Sequence, residues 1–131
     1  AHHNVVMTIG SSEYVVDKQL FTMDAAPYVD SNWRTMVPIR ALAEAFDATV
    51  TYDNDDRTVT IEYDNQTIVM TIDDATYSVN GVEAEMDTEA VINSDDNRTY
   101  VPVRFAAEAM GFTVTALYDD NSSTASVVFQ S

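Results

Sequence analysis

Four arginines stand at matching places in two similar segments, Arg34 and Arg40 in one and Arg98 and Arg104 in the other, and they are four of only six cations in the chain. A guanidinium fork is suited to carboxylates, which it grips through paired N–H donors. The favoured reading is that these arginines tie the loops before two helices to carboxylates such as Asp24 and Asp87, with Arg40–Glu44 and Arg104–Glu108 pairing four residues apart. The sharper alternative is a pair of sites for anions or sugar carboxylates. Acidic turns offer a second chemistry. Asp53 and Asp55, and Asp119 and Asp120, supply the oxygen ligands calcium prefers. Their spacing is not that of a calcium-binding helix–loop–helix, and Asx-rich turns commonly form without metal. A third is Ala1-His2-His3, which with a free amine would give square-planar copper(II) or nickel(II) ligation, the other reading being a tag remnant. The fourth is aromatic: Trp33, with Tyr28 nearby, would stack on sugar rings if exposed, although packing in a core is the commoner use.

No glycine-rich phosphate loop, Ser-His-Asp set or persuasive carboxylate pair accompanies these groups, so the reading is non-enzymatic, with no cofactor expected other than calcium. Cysteine is absent, which removes disulfides, thiolate metal sites and a cysteine nucleophile.

The elements that position these residues come from an internal duplication. Arg34-Thr35-Met36-Val37-Pro38-Ile39-Arg40-Ala41-Leu42-Ala43-Glu44-Ala45-Phe46 is echoed by Arg98-Thr99-Tyr100-Val101-Pro102-Val103-Arg104-Phe105-Ala106-Ala107-Glu108-Ala109-Met110. Upstream, Tyr14-Val15-Val16-Asp17 aligns with Tyr77-Ser78-Val79-Asn80, and Met23-Asp24 with Met86-Asp87. The offset grows by one residue between those matches and the arginine segments, which places one extra residue in the second copy's Asn93–Asn97 loop. The two repeats span about 5–63 and 64–131 of a single domain covering 1–131.

In each copy the residue before proline is biased away from helix, and the proline suits a first helical position. Ile39, Leu42, Ala43 and Phe46 then form an apolar stripe, repeated by Val103, Ala106, Ala107 and Met110. Alternating runs predict four hairpins: Val5–Ile9 with Glu13–Val16, Ala48–Tyr52 with Thr58–Ile61, Ile68–Ile72 with Thr76–Val79, and Phe112–Leu117 with Ala125–Phe129. The fold class is α+β, mainly antiparallel, with two short helices related by pseudo-two-fold symmetry.

Twenty-two acidic residues against six basic ones leave a formal net charge of −16. That surface repels phosphate backbones and anionic membranes, so nucleic acid is not a partner. No apolar run approaches the roughly 20 residues of a spanning helix, so membrane insertion is not expected either.

The doubled R-T-x-V-P-x-R-x-x-A-E-A pattern, with its following T-V-T strand and the upstream Asp24-Ala25-Ala26-Pro27, resembles the copper amine oxidase N-terminal (stalk) domain family, common in secreted and envelope proteins of Gram-positive bacteria. The resemblance runs from about Met7 to Phe129. The second copy departs from it where Asp87-Thr88-Glu89-Ala90 lacks the proline, and Asp47 stands where glycine usually follows the helix. The family is named for a domain appended to an oxidase and distinct from its catalytic part. Oxidase chemistry needs three histidine ligands and an Asn-Tyr-acid motif; only His2 and His3 occur here, and no Asn-Tyr pair does. The resemblance implies an extracellular or cell-surface spacer, attachment or binding module. Its expected partners are copies of itself, joined through the terminal strands Asn4–Ile9 and Ala125–Phe129 into a filament or array, or a cell-wall polymer. A calcium-stabilised adhesion domain is the remaining alternative.

Overall fold

The structure is a computed structural model, and it describes residues 3–131. Its first half runs β1 (Asn4–Thr8), β2 (Glu13–Val16), β3 (Gln19–Thr22), β4 (Tyr28–Val29), β5 (Thr35–Pro38), α1 (Ile39–Phe46), β6 (Thr49–Asp53) and β7 (Thr58–Tyr63). The second half repeats that order as β8 (Gln66–Thr71), β9 (Thr76–Val79), β10 (Val82–Glu85), β11 (Val91–Ile92), β12 (Thr99–Pro102), α2 (Val103–Ala109), β13 (Thr113–Tyr118) and β14 (Thr124–Gln130). The fold is α+β, with mostly antiparallel strands in three sheets and two short helices.

The sheets do not follow the halves. One has the order β13-β14-β1-β2-β3 and joins the first three strands of the chain to its last two; another, β10-β9-β8-β7-β6, is its counterpart. Val5 and Met7 face Phe129 and Val127 across one sheet as Ile68 and Met70 face Ile61 and Val59 across the other. The third sheet, β11-β12-β5-β4, contains the pseudo-two-fold axis, because Val37 lies directly opposite Val101 in its antiparallel β5–β12 pair. Each half therefore lends strands to a sheet that the other half completes.

Both edges of β1 are used within the chain, one by β14 and one by β2. Beyond the ladder, the Ser131 N–H donates to the His3 carbonyl at 3.0 Å. The terminal strands thus pair with each other, and any edge-to-edge contact between copies has to use other strands. The reason is burial: Val5, Met7 and Phe129 have no accessible surface, so unpairing β1 would open the core.

The helices have eight and seven residues, and each proline is the N-cap rather than the first helical residue. In α1 the buried face is Ala41, Leu42, Ala45 and Phe46, while Ile39 and Ala43 turn to a surface hollow with Arg40, Val50 and Tyr52. In α2 the buried face holds Val103, Ala106 and Ala107, and Met110 follows it into the core. Asp47 ends α1 in the left-handed region with φ 57°, a conformation Asp tolerates through its short polar side chain, and Gly111 does the same after α2 with φ 98°.

Candidate functional site

The repeated arginines bind across the pseudo-symmetry axis. Arg34 of the first half grips Asp87 of the second, Nε to the two carboxylate oxygens at 2.9 and 3.1 Å and Nη2 to one of them at 2.5 Å. Arg98 of the second half reaches Asp24 of the first, Nε to Oδ2 at 3.1 Å. The fork beside it holds the Asp87 carboxyl below the usual carboxylate range, and the same hydrogen bonds raise Arg34. The Arg34 guanidinium also lies over the Phe105 ring, 5.6 Å from its centroid. Arg104 and Glu108 lie 3.7 Å apart along α2. Arg40 differs: it approaches Asp24 at 4.0 Å rather than Glu44, because Asp24 is already drawn to this end of the helix by Arg98.

Each arginine follows a loop organised by an aspartate. The Asp30 Oδ1 accepts N–H bonds from Asn32 and Arg34, both at 2.9 Å, and its Oδ2 accepts the hydroxyl of buried Thr88. Asp96 has the matching role, accepting the Arg98 N–H at 3.0 Å and the Tyr100 hydroxyl at 2.5 Å. Burial, reinforced by that hydrogen bond, pushes the Tyr100 hydroxyl up to about 12 from its ordinary 10.0. The folded pKa lies above the unfolded one, so this stabilisation is intact below pH 10 and is lost as pH rises towards about 12. An alkaline titration followed by tyrosinate absorbance is expected to show one late-ionising tyrosine fewer in Tyr100→Phe, with a shallower alkaline fall in melting temperature. An unchanged titration would show that Tyr100 is not the late-ionising tyrosine.

Trp33 ends the first of these loops. Its side chain is 78% exposed and its backbone sits at φ 63°. With Arg34, Arg104, Val114, Tyr118 and Thr124 it borders a narrow groove between α2 and β13. Tyr28 is elsewhere, half-buried and edge-on to Tyr100 at 5.1 Å, lining a separate hollow with Asp30, Asn32 and Thr88. Tyr28 therefore does not flank Trp33, and the aromatic side chain that borders the Trp33 groove is Tyr118. Tyr118 is also exposed, and it shares this groove with Trp33 because the two halves come together there, which no local signal announces.

The acidic turns use their carboxylates on their own backbones. Asp53 Oδ1 accepts from the N–H groups of Asp55 and Asp56, and Asp119 Oδ1 from those of Asn121 and Ser123. Among the described residues no group of three or more histidine or acidic side chains is placed to hold a metal ion. Ala1 and His2 of the copper candidate lie outside the described residues; the His3 Nδ1 sits 2.8 Å from the Asp17 carboxylate. Among the described residues no helix is long and apolar enough to cross a membrane.

This geometry defines a class: a domain of crossed strand–helix–strand halves, locked by reciprocal Arg–Asp pairs, with an aromatic groove on one side. The family model named copper amine oxidase N-terminal domain matches residues 15–127, and the chain belongs to that family. In copper amine oxidases this domain is a non-catalytic module. Comparison with curated proteins and with solved structures gave no match for the chain.

Proposed function

We propose that the chain is a non-enzymatic, extracellular or cell-surface structural module that associates with its own copies through sheet edges, in a filament or surface array. The observation that supports this reading is the unequal charge of the edges. In one sheet both edge strands are uncharged: β3 reads Gln-Leu-Phe-Thr with Leu20 63% exposed, and β13 reads Thr-Val-Thr-Ala-Leu-Tyr with Leu117 49% exposed. In the counterpart sheet both edges are acidic, with Glu83 and Glu85 on β10 and Asp53 at the end of β6.

Charged side chains are how edges are kept from pairing with other chains. At a net charge of −16, copies approach each other only where acid is absent. Of the two five-stranded sheets, only one has uncharged edges, and these are two different strands on its opposite sides; the uncharged edges β4 and β11 of the third sheet are only two residues long each. Pairing β3 of one copy with β13 of the next is heterologous and leaves a free edge at each end, so growth is open-ended. Light scattering of the purified chain is expected to show large assemblies at physiological salt. Leu20→Lys, which places a charge on β3, is expected to reduce them to monomer, while Val82→Lys on the already charged β10 leaves them intact. A monomeric wild-type chain, or assemblies indifferent to Leu20→Lys, would sink this reading.

A further inference from the structure

We infer that Trp33 and Tyr118 form a stacking site for a neutral pyranose glycan, bordered by the polar heads of Arg34, Arg104 and Thr124. The argument for this site does not rest on the edge pairing proposed above, although Tyr118 lies on β13, one of the two edges named there. It begins with a backbone that suits the wrong residue. A bulky side chain at φ 63° is a true outlier, since its Cβ crowds the neighbouring carbonyl. The equivalent residue in the second half is Asn97, at φ 58°, and asparagine is a normal occupant of that region. The fold thus asks for asparagine at this turn and holds tryptophan in one copy. Packing does not compensate, because the indole is 78% exposed. A strained residue that returns nothing to the core points to a role at the surface.

The surroundings specify the ligand. The groove beside the indole holds only about 70 Å³, room for about two water molecules, so a ring would lie across its mouth against the indole rather than inside it. Flat aromatic faces suit the C–H face of a sugar ring. Two arginines face the groove, but Asp87 occupies the fork of Arg34 and Glu108 accompanies Arg104. Such guanidinium–carboxylate pairs present donors and acceptors together, which hydroxyl groups need, and carry little net positive charge for an anion. With −16 on the whole chain, an acidic polymer is disfavoured and a neutral one is not. The corresponding hollow beside α1 is lined by Ile39, Arg40, Ala43, Val50 and Tyr52, without an indole, and serves as an internal control.

Trp33 is the only tryptophan, so its fluorescence reports this site alone. Cellohexaose, mannohexaose, xylohexaose and chitohexaose are the probes, titrated at a protein concentration where light scattering shows one species. At least one is expected to move the emission saturably to shorter wavelength and to give saturable heat in calorimetry. Trp33→Asn, which installs the second copy's residue, is expected to keep the melting temperature or raise it while weakening that sugar at least about tenfold; Tyr118→Ala weakens it less. Four inert oligosaccharides, or undiminished binding in Trp33→Asn, would overturn the inference. Emission that shifts with protein concentration and not with sugar would overturn it too, assigning Trp33 to a contact between copies.

Discussion

Residues 3–63 and 64–131, produced as separate chains, are each expected to lack a cooperative melt, and mixing them is expected to restore one. The expectation follows from the crossing of the halves. Without the second half, β1 loses β14, and Val5 and Met7 lose the Phe129 and Val127 they face. In the same chain β7 loses β8, stripping Val59 and Ile61 of Met70 and Ile68. All four side chains have no accessible surface in the intact domain. At about 1.5–3 kcal/mol for each fully buried aliphatic side chain, their exposure alone costs roughly 6–12 kcal/mol. That equals the whole stability of a typical domain, about 5–15 kcal/mol. The Arg34–Asp87 and Arg98–Asp24 pairs are lost at the same cut. Circular dichroism melts of each fragment and of the equimolar mixture make the test. A half that melts cooperatively as a monomer would show that the crossing is not what holds the fold. A half that folds only as a homodimer would keep the crossed logic, with a second copy standing in for the missing repeat.

How much of this was legible in the sequence depended on whether the signal was local. Hairpins such as Thr49–Asp53 with Thr58–Tyr63 carry their own alternation and turn, and they form where that pattern places them. The edge strands β3 and β10 leave no alternation to read, because every residue in them is exposed. The strands β5 and β12 carry no local strand signal, since Val37-Pro38 and Val101-Pro102 exclude helix without naming a partner. Their mutual pairing is a long-range event on the symmetry axis. Asp24 and Asp87 could be named as arginine partners from the repeat, but not which arginine takes which, because the answer is set by that axis. Arg40 departs from its four-residue partner because that spacing competes with any carboxylate the tertiary fold brings closer, here Asp24. The groove at Trp33 sets β13, a strand the alternating pattern does place, beside a left-handed turn from the other half, and neither that approach nor the turn's conformation is written in the side-chain types. The one extra residue expected between Asn93 and Asn97 does correspond to a difference in the loops. The first closes by the Asp30 N–H donating to the Arg34 carbonyl, and the second by the Asn93 N–H donating to Arg98, one residue further on.

Phe46→Ala is expected to be the most damaging single truncation in the domain, at about 3–5 kcal/mol. Phe46 ends α1 with no accessible surface, edge-to-face with Phe112 at 5.0 Å and with Phe129 at 5.1 Å. Those rings belong to the second half, so a residue of the first half closes the core of the other. The pseudo-equivalent position is Met110, 6% exposed, and the partner of Phe112 under the same relation is Ala48. One half thus pairs a large ring with a small methyl, and the other a flexible thioether with a large ring. The two equivalent places are filled with different volumes, Phe and Ala against Met and Phe, so the duplicated core is filled without being symmetric. Removing the ring leaves Phe112, just before β13, and Phe129, on β14, facing a void that these strands cannot close. Met110 lies nearer the surface and its loss can be relaxed, so Met110→Ala is expected to cost less, about 2 kcal/mol. Restoring volume with Phe46→Met should recover much of the loss, because a methionine already satisfies the matching site. Urea melts of the three variants decide the matter through the ranking Phe46→Ala worst, then Met110→Ala, then Phe46→Met. If Met110→Ala proved as costly as Phe46→Ala, the two sites would be mechanically equivalent and the unequal sharing of core volume would have no energetic weight.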